Sequence, residues 1–184
     1  MIYVAYLIFG FVLLQLLVSF INLILKPDLR KTVSDFNGLV SVLIPARNEE
    51  KNILNLIVDL QRQNYNQLEI IVFDDQSTDR TAELVKEIAQ FDKRIKLIQS
   101  AGLPDGWLGK NYACNQLALQ AKGDYLLFMD ADVKPGENIV GTALKYIRDS
   151  KSSLVSIFPK QIMYNVGEKA VVPIMNYILL TLLP

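Results

Sequence analysis

The feature that most constrains this 184-residue chain is a regular alternation of two kinds of segment that starts at Leu39. Short, continuously apolar runs rich in β-branched residues alternate with longer segments whose apolar residues recur every three or four positions. The first kind predicts buried strands and the second predicts helices. Strands that are apolar throughout are typical of a parallel sheet covered by helices on both faces. The chain is therefore predicted to form an α/β domain with a mostly parallel sheet.

The alternation can be read segment by segment. The predicted strands are residues 39–45, 68–74, 95–99, 124–130 and 154–158. The predicted helices are residues 49–63, residues 77–91, a segment that carries Cys114, Leu117, Ala118 and Ala121 on one face, and residues 138–149. A loop rich in glycine, SAGLPDGWLG, precedes the third helix.

Polar clusters follow three of the predicted strands at their carboxyl ends. They are residues 45–49 (PARNE), the pair Asp74 and Asp75, and the tripeptide Asp130-Ala131-Asp132. In open parallel sheets, ligands bind outside the carboxyl ends of the strands. The three clusters are therefore predicted to meet on one rim and to form the binding site.

The carboxylates of Asp130 and Asp132 favour a divalent metal. Two such groups at a strand end repel each other unless a cation lies between them. The chain has no histidine and one cysteine, so oxygen ligands, and with them Mg²⁺ or Mn²⁺, are expected rather than Zn²⁺. Ordinary turn chemistry at the segment Asp132-Val133-Lys134-Pro135-Gly136 is the open alternative.

Two further polar positions have a ligand-binding and a structural interpretation. Ser77 or Asp79 can cap the second helix, which leaves Asp74 and Asp75 free to accept hydrogen bonds from a base or a ribose. Lys110 stands at the start of a helix, where the helix dipole disfavours a cation. A diphosphate would explain the lysine, and a solvated side chain is the alternative.

The N-terminal segment, residues 2–25, carries no charge. As a helix its 24 residues would extend about 36 Å, enough to cross a bilayer with some tilt. A cleaved signal peptide and a buried soluble helix are the alternatives, and no basic n-region or cleavage site is visible. Lys26, Arg30 and Lys31 follow at once, so the positive-inside rule predicts a single-pass anchor in the cell membrane with the remaining chain in the cytoplasm.

Composition and missing motifs exclude several classes of function. The net charge is zero, with 19 basic and 19 acidic residues, so nothing points to nucleic acid. The lack of histidine excludes Ser-His-Asp and Cys-His catalysis. Neither G-x-x-x-x-G-K-[ST] nor G-x-G-x-x-G occurs, which disfavours P-loop hydrolases and dinucleotide-binding dehydrogenases. PARNEE stands where a nucleotidyltransferase would carry a glycine-rich, arginine-bearing loop.

Four ordered motifs between residues 39 and 158 carry a family resemblance. The segments VSVLIPARNEEKNI, IIVFDDQSTDRT and GWLGKNYACNQLALQAKGDYLLFMDADV together resemble glycosyltransferase family 2. The resemblance implies the GT-A (Rossmann-like) form of the predicted α/β fold, preceded by one N-terminal transmembrane helix. GWLGKNYAC and SIFPKQ are similar to the membrane-anchored branch that includes the carotenoid (diaponeurosporenoate) and hopanoid-associated glycosyltransferases.

The resemblance also implies roles for particular residues. Those assigned to the donor nucleotide are Pro45, Ala46, Glu49, Asp74, Asp75, Lys110 and Asp130. The first three would form the wall around the base, Asp74 or Asp75 would contact the base or ribose, and Lys110 would meet the diphosphate. Asp132, with Asp130, would hold Mg²⁺ or Mn²⁺. Asn115 matches a recurrent position that we interpret as structural.

The implied function is metal-dependent, inverting transfer of a sugar from a nucleoside-diphosphate sugar, with UDP the expected nucleotide, to a lipid-like acceptor of the polyprenyl or terpenoid kind. The acidic motif that supplies the catalytic base in the family is not found, so the base is expected beyond residue 184. A non-catalytic nucleotide-sugar-binding module is therefore the alternative. The predicted organisation is an anchor (1–25), a linker (26–38), a GT-A domain (39–170) and an apolar membrane-proximal segment (171–184).

Overall fold

The computed structural model describes residues 2–24, 36–157 and 159–182. They belong to two compact units, one within residues 30–155 and the other formed by residues 1–29 and 156–184. The elements in chain order are α1 (Ile2–Ile24), β1 (Val40–Ala46), α2 (Ile53–Gln61), β2 (Leu68–Asp74), α3 (Thr81–Ala89), β3 (Ile95–Gln99), α4 (Gly109–Gln120), β4 (Tyr125–Phe128), α5 (Ile139–Asp149) and α6 (Val166–Leu182).

The larger unit is built on a parallel four-stranded sheet in the order β3-β2-β1-β4. β1 and β2 are central and are buried along almost their whole length, which explains their continuously apolar sequences. The edge strands β3 and β4 are partly exposed. The sheet confirms the parallel α/β architecture predicted from the alternation.

Helices cover both faces of this sheet because alternate strand residues point to opposite sides. On one face, α2, α3 and α5 pack against a large apolar cluster that includes Val42, Ile44, Ile70 and Val72. On the other face, α4 packs Ala113 and Leu117 against Leu43, Ile71 and Phe73. The carboxyl ends of the strands are left free between the two helical layers.

A buried carboxylate connects the strands at the opposite end of the sheet. Glu69 on β2 accepts hydrogen bonds from the Ser41 hydroxyl (2.6 Å) and the backbone N–H of Lys122 (2.6 Å), and Lys96 Nζ lies 3.0 Å away. Burial alone would raise the pKa of Glu69, but these hydrogen bonds and the Lys96 charge hold it below its usual value. The network stabilises the turn that leads from α4 into β4.

Several predicted boundaries were wrong. Residues 154–157 form no strand, and residue 158 lies outside the described residues. Leu154 is 86% exposed, so this apolar run does not join the sheet of the described residues. α2 and α3 begin at Ile53 and Thr81, four residues later than predicted, because the residues before them form hydrogen-bonded loops. β4 ends at Phe128 rather than at Asp130, which leaves both aspartates in a loop.

The smaller unit contains α1 and α6, which pack against each other. Residues 2–22 of α1 form the one helix among the described residues that is long and apolar enough to cross a membrane. The predicted linker falls mostly outside the described residues, since residues 25–35 are not among them. Helix α6 (Val166–Leu182) includes residues 171–182 of the predicted apolar segment (171–184), begins five residues before that segment and contains Pro173.

Candidate functional site

One cavity of about 400 Å³ opens at the carboxyl ends of the strands. It is lined by Pro45, Ala46, Arg47, Glu49, Asp75, Gly109, Lys110, Ala113, Asp130, Ala131 and Asp132. These residues come from the ends of β1 and β2, the first turns of α4 and the loop after β4. The structure therefore brings all three predicted polar clusters, together with Lys110, around a single space.

Two loops at the mouth of this cavity are joined by hydrogen bonds. Asn48, at φ 57°, donates its backbone N–H to the Ser77 hydroxyl (2.9 Å), and its side-chain oxygen accepts from the Thr78 N–H (2.8 Å). The backbone N–H of Glu49 donates to the Thr81 hydroxyl (2.8 Å). Asparagine tolerates the left-handed conformation better than most residues, so this position suits its side chain. The result is a fixed wall in place of two independent loops.

Asp75 lies at the centre of that wall. Its backbone N–H donates to the Ala46 carbonyl (2.9 Å), and its Oδ2 is 3.6 Å from Nη1 of Arg47. A Cβ atom on Gly109 would lie 3.1 Å from the same oxygen, which is closer than about nine in ten Cβ contacts in real structures. Glycine at this position therefore allows the first turn of α4 to approach the carboxylate.

Lys110 and Asp130 pair directly at the cavity. Nζ of Lys110 lies 2.7 Å from Oδ1 of Asp130, and both side chains are exposed. This hydrogen bond, strengthened by the charge of the carboxylate, raises the pKa of Lys110. The lysine thus remains a cation at neutral pH and is held over the cavity.

The structure separates the two adjacent aspartates that the sequence treats as equivalent. Asp75 lines the cavity, whereas Asp74 is 3% exposed at the end of β2 and does not belong to the lining. Oδ1 of Asp74 is enclosed and has no hydrogen-bond partner among the described residues. A buried carboxylate oxygen without a partner is costly, so it is suited to a donor group that a ligand or water supplies.

Gly109 and Ala113 also line the cavity and were not predicted to do so, whereas Arg47 and Ala131 lay within two of the predicted clusters without a role of their own. Arg47 lies within the PARNEE motif and Gly109 directly precedes Lys110, so both residues are adjacent in sequence to positions that were assigned to the donor. Ala113 follows Lys110 by one helical turn, and its small side chain leaves room in the floor of the cavity. Trp107 lies nearby with its ring edge-on to Tyr112 at 5.6 Å between centroids.

The acidic residues of the cavity fit a metal that is shared with a phosphate. Among the described residues no group of three or more histidine, cysteine, aspartate or glutamate side chains could hold an ion alone. Asp130 and Asp132 both line the cavity and offer hard oxygen ligands. Mg²⁺ in particular is usually bound by one or two carboxylates, and substrate phosphates and water complete its shell.

The parallel sheet with helices on both faces has the fold of GT-A-type glycosyltransferases. A solved mannosyltransferase from Pyrobaculum calidifontis, in complex with GDP-mannose and Mn²⁺, aligns with a TM-score of 0.62 at 23% identity, over 75% of this chain and 41% of that one. Staphylococcus aureus TarS 1–349 in complex with UDP-GlcNAc aligns with a TM-score of 0.52 at 25% identity, over 68% of this chain and 37% of that one.

The chain belongs to glycosyl transferase family 2, whose family model matches residues 41–179. The 4,4'-diaponeurosporenoate glycosyltransferase of Staphylococcus haemolyticus is 38% identical over 137 residues, which are 73% of this chain and 36% of that protein. Its Staphylococcus aureus counterpart is 30% identical over 148 residues, 80% of this chain and 34% of that protein. The chain thus spans about a third of the length of these relatives.

Proposed function

We propose that this chain binds the donor in a metal-dependent glycosyltransferase that moves a sugar from a UDP-sugar to a lipid-like acceptor. The observation that carries the proposal is the convergence of Asp75, Lys110, Asp130 and Asp132 on one cavity at the carboxyl ends of the strands. One cation and three carboxylates in that position suit a ligand that has hydrogen-bond donors, a diphosphate and an associated metal.

The nucleoside lies against the wall formed by Pro45, Ala46 and Glu49 in this proposal. The carboxylate of Asp75 accepts a hydrogen bond from the base or the ribose, and Arg47 Nη1, 3.6 Å from Asp75 Oδ2, helps to orient that carboxylate. Asp74 lies outside the cavity lining, and its enclosed Oδ1 has no hydrogen-bond partner among the described residues.

The diphosphate lies at Lys110. When the sugar departs, negative charge develops on the leaving phosphate oxygen, and a fixed ammonium group stabilises that charge more in the transition state than in the ground state. Asp130 and Asp132 would hold Mg²⁺ or Mn²⁺, and the bound ion would supply further electrostatic stabilisation of the same phosphate. The first turn of α4 positions the lysine, because Gly109 permits close packing against Asp75.

An oxygen of an acceptor hydroxyl or carboxylate attacks the anomeric carbon from the face opposite the diphosphate, the bond to the phosphate oxygen breaks with UDP as the leaving group, and the configuration is inverted. A base other than the donor-binding carboxylates takes the proton when the attacking group is a hydroxyl. The relative from Staphylococcus haemolyticus is named for 4,4'-diaponeurosporenoate, a terpenoid, and this name supports an apolar acceptor. The uncharged helix α1 supports delivery from a membrane, and Lys26, Arg30 and Lys31 next to it support a cytoplasmic location for the cavity.

A nucleotide-sugar-binding module without turnover is the second candidate. The observation that favours it concerns the described residues of the cavity, whose acidic members are Glu49, Asp75, Asp130 and Asp132. All four have roles in holding the donor, so none is free to take a proton from the acceptor. Release of UDP from a UDP-sugar in the presence of a terpenoid acceptor would distinguish the enzyme from the module.

The direct test is a calorimetric titration of UDP into the full chain in detergent, first with Mn²⁺ and then with EDTA. We expect binding with Mn²⁺ and a loss of at least tenfold in affinity with EDTA. Asp132→Asn should produce the same loss with Mn²⁺ present. Asp149→Asn is the matched control, because Asp149 lies on α5 in a surface ion pair with Lys145. Equal affinities for all three proteins with and without Mn²⁺ would contradict the metal assignment, and no binding by the folded chain would contradict the donor site.

A further inference from the structure

We propose that α6 lies in the hydrocarbon region of the same bilayer as α1 and packs against α1 through a seam of polar side chains. The proposal rests on the membrane anchoring of α1 and is independent of the donor site. Lipid acyl chains therefore contact the outward-facing surface of this helix pair.

The side of α1 that is covered is its polar side. Among its described side chains only Gln15, Val18, Ser19 and Asn22 are half-buried, and all the others are exposed. These four positions follow the i, i+3, i+4, i+7 spacing of one helix face. Since α6 is the helix against which α1 packs, we infer that this stripe faces α6.

α6 shows the same arrangement. Its half-buried side chains among residues 166–178 are Glu168, Val172 and Asn176, spaced four residues apart. The side-chain oxygen of Asn176 is enclosed. The exposed side chains of the same region include Val166, Val171, Ile174, Met175, Tyr177 and Ile178.

The two helices thus turn polar groups toward each other and apolar groups outward. A helix pair in water does the reverse, because apolar surface removed from water is what stabilises it. Soluble proteins rarely expose large contiguous apolar patches. In a bilayer, by contrast, helices associate through small and polar residues while their apolar side chains face lipid. The distribution of polarity in this pair is that of membrane helices.

Charge marks where α6 enters the membrane. Glu168 and Lys169, both in the first turn, are the charged residues of α6. Asn165 Oδ1 accepts from the Glu168 N–H (2.8 Å), and Glu168 Oε2 accepts from the Tyr164 N–H (2.6 Å), so a reciprocal cap satisfies this end in a polar environment. The thirteen residues of α6 from Ala170 to Leu182 are uncharged and extend about 20 Å, against a hydrocarbon thickness of about 30 Å. The first turn of α6 is therefore placed at the headgroups and its later turns near the bilayer centre.

Depth-dependent fluorescence quenching tests this placement. Single cysteines replace Ile174, Tyr177, Asn176 or Phe91 in a Cys114→Ala background, which removes the one native thiol. Each variant is labelled with bimane in detergent and then reconstituted into phosphatidylcholine–phosphatidylglycerol vesicles. The quenchers are nitroxide lipids spin-labelled on the acyl chain and aqueous iodide. Phe91, in the larger unit and 88% exposed, is the control for a position in water.

We expect labels at Ile174 and Tyr177 to be quenched several-fold more by acyl-chain nitroxide than the label at Phe91, and several-fold less by iodide. The label at Asn176 should be protected from both quenchers, since it lies in the seam. Iodide quenching at Ile174 equal to that at Phe91 would overturn the membrane placement. Protection of Ile174 from both quenchers, with cross-linking between copies, would overturn it in favour of a dimer. Strong nitroxide quenching at Asn176 would overturn the polar seam. No nucleotide takes part, so these outcomes are separate from failure of the proposed function.

Discussion

Nζ of Lys110 lies 2.7 Å from Oδ1 of Asp130, so the cation proposed for the diphosphate and a carboxylate proposed for the metal are paired with each other in this structure. If Asp130 bound a metal ion as proposed, Lys110 would lose this partner and its ammonium group would be available to a diphosphate. Both side chains are exposed, and such pairs contribute only about 0–1 kcal/mol, so the exchange costs little. We expect metal and nucleotide to bind cooperatively for this reason.

Replacement of Lys110 tests its proposed contact with the phosphates. Lys110→Ala should weaken UDP binding by about 10- to 150-fold, because a hydrogen bond to a charged group contributes about 1.5–3 kcal/mol. Calorimetry with Mn²⁺ present measures the change. Lys145→Ala removes a lysine from a comparable surface ion pair on α5 and should leave the affinity unaltered. Equal affinities for the two variants would show that Lys110 does not contact the donor.

The close approach of Gly109 to Asp75 leads to a second prediction. A Cβ at this position would lie 3.1 Å from Asp75 Oδ2, so Gly109→Ala should displace the carboxylate or the first turn of α4 by a few tenths of an ångström. We expect UDP affinity to fall by about tenfold, the loss of roughly one hydrogen bond, while the free energy of unfolding changes by less than about 1 kcal/mol. Gly136→Ala, where a Cβ would meet nothing within 4 Å, should change neither quantity.

The buried Glu69 network should make stability depend on pH. The pKa of Glu69 is lowered in the folded state, so its ionised form stabilises the fold at pH values above the unfolded pKa, and this contribution is lost as the pH falls through the folded pKa. Glu69→Gln should lower the free energy of unfolding at pH 7 by about 1–3 kcal/mol, and the difference from the natural chain should shrink below about pH 4. Urea unfolding at several pH values measures it. Glu87→Gln, on the exposed face of α3, should show no such dependence.

Gly123 lies where no side chain fits. A Cβ there would be 2.6 Å from the backbone nitrogen of Ser41 and 2.9 Å from the carbonyl oxygen of Leu39, so Gly123→Ala must push the turn before β4 away from β1. We expect a loss of about 1–3 kcal/mol in the free energy of unfolding, the usual cost of overpacking. Thermal unfolding followed by circular dichroism measures it. A melting temperature equal to that of Gly136→Ala would contradict the geometry.

The sheet and the position of the cavity at the carboxyl ends of its strands could be predicted because they depend on local signals. Apolar runs such as LEIIVFD predict central strands. A polar residue that directly follows such a run lies at the carboxyl end of the strand, where ligands bind in parallel sheets. The strand predicted at 154–158 was wrong because an apolar run of five residues becomes a strand only where a neighbouring strand is available, and Leu154 is exposed. The hydrophobic periodicity within a segment does not show whether a neighbouring strand is available to pair with it.

Pairings between distant segments were not predictable from the sequence. Ser41, Glu69 and Lys122 meet only because three separate segments come together in the fold. The different positions of Asp74 and Asp75 likewise depend on where β2 ends, because Asp74 is its last residue and Asp75 begins the loop that follows. The role of each aspartate in binding stays a prediction until the nucleotide titrations are made.

The position of β4 at the edge of the sheet has a consequence for synthesis of the protein. The Gly123 N–H reaches the Ser41 hydroxyl across 82 residues of chain, so β4 joins β1 only after β2 and β3 have been made. At about 5–20 residues per second, a ribosome takes on the order of several seconds to cover that interval. The residues that form the wall around Asp75 are therefore synthesised before Asp130 and Asp132. A donor that binds to both parts, as proposed, would stabilise only chains whose sheet is complete and would thereby favour the finished fold.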